Sequence, residues 1–451
     1  MFGRILMFAL LGALLAFKVE AKIVEFDSFK LNNGLEVVVV SNNRAPVGYL
    51  KLYYKVGAIN DPYFKGGIAH LVEHLMFRGT KNVKDKEFNR ITEENGASDN
   101  AFTTYLNTGY YEFADISKLE LMMALEADRM VNLDISDEAF IKERDIVLQE
   151  RLQRFETNPV VKFYEKMGKI FWDKHLFARP VSGEVLEIKN LQKEDAENFY
   201  RKYYKPSNAL LILAGDIKKD EAKELVLKYF GKIKSVENED VAEVELDEPI
   251  DDEIWLKMKL LGVEHKRFVA YWYLPKDKFS KKEILTLELL SEFLSGDDTS
   301  YLYDKLVYGD KKFLSIGVDV DYDENLGGQF SFYGLPSDEN MSMEEFSNIV
   351  IEEMGRGVSA LSEGELEKIK NENLSNAVYL LDDVRGVADF IGGMKLENYE
   401  DDDIKNFDEI IKSVKLCDVK EVYKKVLELA KRKVYGELDK KKIEFVSKSL
   451  F

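Results

Sequence analysis

The sequence predicts an α+β protein made of two similar halves, and three observations predict it. Strand-like and helical stretches are mixed with few strict strand–helix–strand units, which disfavours a doubly wound parallel sheet. The same order of elements recurs in the second part of the chain. Between the two parts, residues 235–253 hold ten acids and no base, with Pro249 near the end, the composition of a solvated linker. A chain of 451 residues has room for two or three domains and a large core.

The elements follow in order. Arg4 precedes an apolar run from Ile5 to Phe17, and Val19-Glu20-Ala21 puts a small residue before the expected cut. That run is short for a bilayer span and has the layout of a signal peptide over residues 1–21; an uncleaved anchor is the rival reading. Leu35–Val40 and Tyr49–Val56, rich in β-branched and aromatic residues, read as strands. Gly66–Phe77, Ile116–Val131 and Ser136–Phe155 read as helices, the last with Ser136 as N-cap and acids in its first turn. Leu210–Ala214 is a strand that closes an N-terminal domain of residues 22–234. In the C-terminal domain, residues 254–451, Phe268–Tyr273 is a strand, Lys282–Leu294 a helix, and Phe313–Val320 with Gln329–Tyr333 a strand pair. Glu363–Leu381 and Val419–Lys431 are helical, and Val434–Gly436 closes this half as the first one closes. Letter-by-letter identity between the halves is faint, so the repeat rests on element order.

Composition narrows the function. A hydrophobic fraction of 45% with 12% aromatics excludes a disordered or collagen-like chain. A formal charge of −19 disfavours a broad nucleic-acid surface, because phosphates would be repelled. Cys417 is the single cysteine, which excludes an intrachain disulfide, a cysteine-rich zinc finger and an iron–sulfur cluster. No second apolar stretch is long enough to cross a membrane, so no span is expected once the signal is cut. The expected destination is outside the cytoplasm, first of all a bacterial periplasm, with secretion or tethering as alternatives.

Two of the four histidines lie in His70-Leu71-Val72-Glu73-His74. A chance H-x-x-E-H is expected roughly 0.004 times in a chain of this composition. On a helix, positions i and i+4 share a face, so both imidazoles reach one metal ion, and Glu73 on the same turn reaches a water beside it. The bland alternative is two histidines on an ordinary helix. A catalytic zinc site needs a third protein ligand. Glu143 and Glu150, two helical turns apart, supply candidates: one to bind the metal, the other to orient a histidine. Without the histidine motif that pair would read as a solvated face.

The stretch from Gly66 to Thr80, GGIAHLVEHLMFRGT, resembles the signature of the pitrilysin/insulinase family of zinc peptidases, most of all its mitochondrial-processing-peptidase-like branch. The likeness extends through Asn33-Gly34-Leu35, Asn100-Ala101-Phe102-Thr103, Pro180-Val181-Ser182-Gly183 and Tyr204-Lys205-Pro206-Ser207-Asn208. It implies two similar α+β halves forming one side of a clamshell, and one Zn²⁺ per chain held by His70, His74 and Glu150, with Glu143 a helper beside them. It also implies Glu73 as general base in hydrolysing extended peptides. The implied substrate edge is Ala97 to Phe102, with Asn100 and Ala101 nearest the scissile bond; by local chemistry alone, residues 96–100 read as a turn.

The pattern departs from active relatives in the second half. There an arginine and a tyrosine help to bind substrate; here the matching arginine position is Val307 and the tyrosine position is near Leu314, with Tyr308 one residue out of phase. That half has no H-x-x-E-H; His265 reads as structural or solvent-exposed, and His175, beside Trp172 and Phe177, as structural. The departure points to a heterodimer with a related non-catalytic subunit, otherwise a homodimer. The leading expectation is a zinc endopeptidase acting on unfolded peptides. The alternative is a weak or inactive peptide-binding or assembly subunit of the same fold.

Overall fold

A computed structural model describes residues 24–235 and 249–441; the expected signal peptide, most of the acidic linker and residues 442–451 lie outside the described residues. The first half contains β1 (Asp27–Lys30), β2 (Glu36–Ser41), β3 (Val47–Tyr54), α1 (Ile68–Leu75), α2 (Glu87–Glu94), β4 (Ser98–Thr103) and β5 (Thr108–Asp115). It continues through α3 (Leu119–Asn132), α4 (Asp137–Arg151), α5 (Pro159–Trp172), α6 (Val185–Asn190), α7 (Lys193–Tyr203), β6 (Ala209–Gly215) and α8 (Lys219–Tyr229). The second half contains β7 (Glu253–Leu260), β8 (Arg267–Leu274), α9 (Lys281–Ser295), β9 (Phe313–Asp323), β10 (Gly327–Pro336) and α10 (Met343–Ala360). Then come α11 (Glu363–Asp382), α12 (Val384–Leu396), α13 (Asp401–Lys405), α14 (Phe407–Ser413), α15 (Leu416–Leu429) and β11 (Lys433–Lys440).

The fold is α+β, as the sequence predicts, and the register makes the repeat explicit. One sheet runs β1-β2-β6-β3-β5-β4 and the other β7-β11-β8-β10-β9. With β1 set aside, both follow one permutation of chain order: third, fourth, second, fifth and first strand. In each, the last strand runs parallel to the first, β6 to β2 and β11 to β7, and the other pairings are antiparallel.

Each sheet has two apolar faces to cover. Strand β6 (ALLILAG) is buried along its whole length, which is why it reads as a continuous apolar run. Its own half covers one face, where Leu50, Leu52, Leu211 and Leu213 meet α1 and α3. The other face, with Val38, Tyr49, Tyr53 and Ile212, is covered by Val384, Val387, Ala388 and Ile391 of α12, from the second half. Reciprocally, Phe163, Met167 and Phe171 of α5 cover Val269, Tyr273, Val434 and Leu438 of the second sheet. Helices α5 and α12 hold equivalent places in the repeat, each the third long helix after the hairpin, so the halves exchange them.

Glycine lets the exchanged helices sit close. A Cβ on Gly392 would lie 2.6 Å from the Tyr53 ring, and one on Gly436 would lie 2.4 Å from the Met167 sulfur. A buried cation pins each helix. Lys51 pairs with Asp389 of α12 at 2.5 Å, and Arg432 donates through Nε to the Phe171 carbonyl near the end of α5 at 2.7 Å.

Some local readings need correction. Residues 96–100 turn only at Gly96 (φ +68) and are strand from Ser98 onward. Glu253, the last residue of the acidic stretch, opens β7. The sequence reading has no helix at α12, because Gly386, Gly392 and Gly393 interrupt its helical apolar spacing.

Truncating Ile391, fully buried in the shared core, is expected to destabilise the protein by about 2–4 kcal/mol. Because both halves share cores, Ile391→Ala should lower the midpoint of a single calorimetric transition. Two separated transitions in the wild-type scan would contradict this.

Candidate active site

Helix α1 is positioned at its first turn. Gly67, at φ +86, lies so close to Ser182 that a Cβ would sit 2.5 Å from the Ser182 carbonyl oxygen. A Cβ on Gly183 would come 2.2 Å from the Gly66 carbonyl oxygen. The Gly66-Gly67 and Ser182-Gly183 stretches therefore fit together only as glycines at these points. Buried Asp61 caps the turn: its Oδ2 accepts from the Gly67 N–H at 2.6 Å and its Oδ1 from the Ala69 N–H at 3.1 Å. Burial pushes the Asp61 carboxyl up to about 7, against the pull of those two amides and of Arg179.

Ile68, Ala69, Leu71, Val72 and Leu75 of α1 fill the core, which leaves His70, Glu73 and His74 on the face toward α4. Glu150, near the end of α4, brings its Oε2 to 3.9 Å from His70 Nε2 and 3.7 Å from His74 Nε2. The three ligand atoms all lie within 4.8 Å of one another. A tetrahedral zinc with bonds of about 2.0–2.2 Å separates its ligand atoms by about 3.3–3.6 Å, so two imidazoles and a carboxylate at these distances fit the ion. Glu143, two turns earlier on α4, is buried; its Oε2 lies 3.1 Å from His74 Nδ1, and it pairs with Arg78 on its other side. That contact fixes the His74 ring with Nε2 toward Glu150.

Electrostatics separate the two histidines. Burial, with His74 and Arg154 nearby, pulls His70 down to about 3. Burial also acts to lower His74, but the Glu143 hydrogen bond and the charges of Glu150 and Glu73 outweigh it and hold His74 above its ordinary value. Burial raises Glu73 as well, opposed by a hydrogen bond from Thr103 Oγ1 to its Oε2 at 2.5 Å.

The other residues singled out in the sequence fall as follows. Among the described residues, strand β4 is a sheet edge that pairs with β5 alone. Asn100 is exposed on it and lines the cavity of about 630 Å³ that holds His70, Glu73, His74, Glu143 and Glu150. Ala97 and Ala101 pack toward α1, while the Phe102 ring turns to the opposite face, against Tyr53. Val307 packs against the second core, Leu314 and Tyr308 are exposed, and the structure brings none of them into that cavity. His175 is buried, accepts from the Phe177 N–H at 3.1 Å and stacks beside Trp172; His265 is exposed.

A second cavity, of about 530 Å³, lies between the halves. Its walls include Tyr105, just beyond β4, with Tyr164 and Trp172 of α5 and Tyr271, Asp321 and Asp323 of the second sheet. Sequence reasoning missed this cavity, Asp61, and the roles of Arg78 and Thr103. Arg78 carried a usable signal, since it stands four residues beyond His74; Asp61 did not, because it lies too far before α1 for a capping rule to reach.

A family model described as Insulinase (Peptidase family M16) matches residues 36–184, and one described as Peptidase M16 inactive domain matches residues 190–373. The zinc protease PqqE of Helicobacter pylori is 27% identical over 383 residues, 84% of this chain and 85% of that protein. A probable mitochondrial-processing peptidase subunit beta of Schizosaccharomyces pombe is 29% identical over 203 residues, 45% of this chain and 44% of that one. Among solved structures, a protease from Helicobacter pylori superposes with a TM-score of 0.83 at 24% identity, over 92% of this chain and 99% of that one. Pitrilysin superposes with a TM-score of 0.74 at 16% identity, over 92% of this chain but only 45% of its own. With both models in sequence along one chain and the fold shared over nearly all of it, this protein belongs to the insulinase family, peptidase family M16.

Proposed function

We propose that the chain is a zinc-dependent endopeptidase that cleaves unfolded peptides, with one Zn²⁺ held by His70, His74 and Glu150. The observation that carries this reading is the convergence of those three ligand atoms beside a buried carboxylate and a free sheet edge. When bound, zinc supplies a Lewis acid that polarises a carbonyl and makes water more acidic. Glu143 orients His74. Glu73, whose burial makes it a stronger base, takes the proton of the attacking water and passes it to the leaving amine. The peptide lies extended along β4, where main-chain groups of Ala97 to Phe102 pair with it. Its further side chains reach the aromatic cavity between the halves.

The chain spans about half of pitrilysin, 45%, and of the Escherichia coli periplasmic protease PqqL, 48%. That supports a clamshell completed by a second chain: a related non-catalytic subunit that supplies what Val307 and Leu314 do not, or otherwise a second copy. The name of PqqL supports a periplasmic location, and no helix among the described residues is long and apolar enough to cross a membrane. An assembly role without turnover is the second reading; it draws on the 28% identity over 211 residues to bovine cytochrome b-c1 complex subunit 1.

Three outcomes test the proposal. Zinc-loaded protein should cleave an unstructured quenched peptide in a chelator-sensitive way, and Glu73→Gln should keep the zinc while losing at least about a hundredfold in kcat. Stoichiometric zinc without cleavage, in the presence of a candidate partner as well, would favour the assembly reading. Glu150→Gln should weaken zinc binding far more than Glu143→Gln, for which a loss of about 10–100-fold is expected by chelator competition. Zinc requires a neutral imidazole, so affinity should fall as pH drops through the raised value of His74, while His70 stays neutral down to about 3. A zinc affinity that does not change between pH 8 and pH 5 would contradict this assignment.

A further inference from the structure

We propose that Thr103 is the positioning residue that aims Glu73, and that it ties the aim of the base to the strand on which substrate lies. The inference rests on the peptidase reading above. Thr103 is the last residue of β4, paired across the ladder with Thr108 of β5. Side chains alternate along a strand, so Asp99, Ala101 and Thr103 share the face toward α1 and α2. Asp99 accepts from Thr92 Oγ1 at 2.8 Å, Ala101 packs into the core, and Thr103 reaches Glu73.

Glu73 carries three rotatable side-chain bonds, and its terminal torsion is broad unless something holds it. Among the described residues, Thr103 is the hydrogen-bond partner of that carboxylate. Its hydroxyl donates to Oε2, so Oε1 is left to receive a proton. A β-branched side chain is stiff at χ1, so the direction of the hydroxyl is set by the backbone of β4. That backbone presents its opposite, unpaired edge to an incoming strand. Seating a peptide on β4 therefore steadies the same segment that holds the base.

Thr103→Val keeps the shape and removes the donor; Thr103→Ser keeps the donor. Thr103→Val is expected to lower kcat by about 10–100-fold with KM and zinc content unchanged, and Thr103→Ser to recover most of the loss. Metal-free Thr103→Val should bind an extended, uncleaved peptide as the wild type does. A wild-type kcat in Thr103→Val would overturn the inference, as would a loss that falls wholly in KM and peptide affinity, which would make Thr103 part of the substrate seat. A crystal structure of Thr103→Val gives a test independent of turnover. The Glu73 side chain should leave its wild-type rotamer, and an unchanged rotamer would overturn the inference even if the wild-type protein cleaved nothing.

Discussion

The reciprocal exchange of α5 and α12 is the constraint on which the rest of the molecule depends. Each sheet is apolar on both faces, and each half supplies only enough helices of its own for one of them. The uncovered face of the first sheet waits for Ile391 and its neighbours, and that of the second for Phe163, Met167 and Phe171. At about 25 cal/mol per Å² of apolar surface, leaving either face wet would cost more than the whole stability of an ordinary domain. Lys51 and Arg432 add direction to this burial: Lys51 pairs with Asp389 of α12, and Arg432 donates to the Ile170 and Phe171 carbonyls at the end of α5 while its charge is met by Asp252 of its own half.

The exchange reaches the proposed metal ligands through one short connection. Glu150 stands at the end of α4, followed by a π-helical turn over Leu152–Glu156 and then by α5. Because α5 is seated on the second sheet, the half with no histidine motif fixes where α4 ends, and so where the proposed third ligand, Glu150, lies. His70 and His74 depend instead on the Asp61 cap and the glycine fit at Gly67. Two independent supports thus converge on one point, which is how sites on rigid elements keep their geometry. The charges there are unbalanced: Glu73, Glu143 and Glu150 surround two imidazoles, and Arg78 offsets only Glu143. The upward pull on His74 is the signature of that negative field, a field that suits the zinc proposed above.

The motif was legible because its information is local: two histidines and a glutamate on one helix, and two acids two turns apart on another. Strands β2 and β6 were legible because a strand buried on both faces is written as an unbroken apolar run, and β3 because only Lys51 interrupts its run from Tyr49 to Tyr54. The repeat was only half legible, since it is carried by the order of strand pairing rather than by residue identity. Helix α12 was hidden by three glycines, of which Gly392 is the one that lets it approach Tyr53, so one feature that makes its packing possible also obscures its pattern. Asp61 and Thr103 escaped for a different reason. Each acts on a residue distant in the chain, and no spacing rule connects Thr103 with Glu73 until β4 is known to lie against α1.

The two halves show how function can be asymmetric on a symmetric fold. Helix α9 follows the second strand of its half and precedes the third, as α1 does in the first half. It carries Leu285, Leu287, Leu289, Leu290, Phe293 and Leu294 into its core, with no histidine among its residues. The second half therefore meets every packing demand of the repeat and none of its metal-binding demands, in keeping with its match to an inactive-domain model. Its part in the proposed chemistry is mechanical, exerted through α5 on Glu150. Packing of that kind tolerates many sequences of similar volume, whereas the proposed ligands of α1 and α4 would tolerate almost none. That difference in tolerance is sufficient for the halves to have diverged in letters while keeping one strand order.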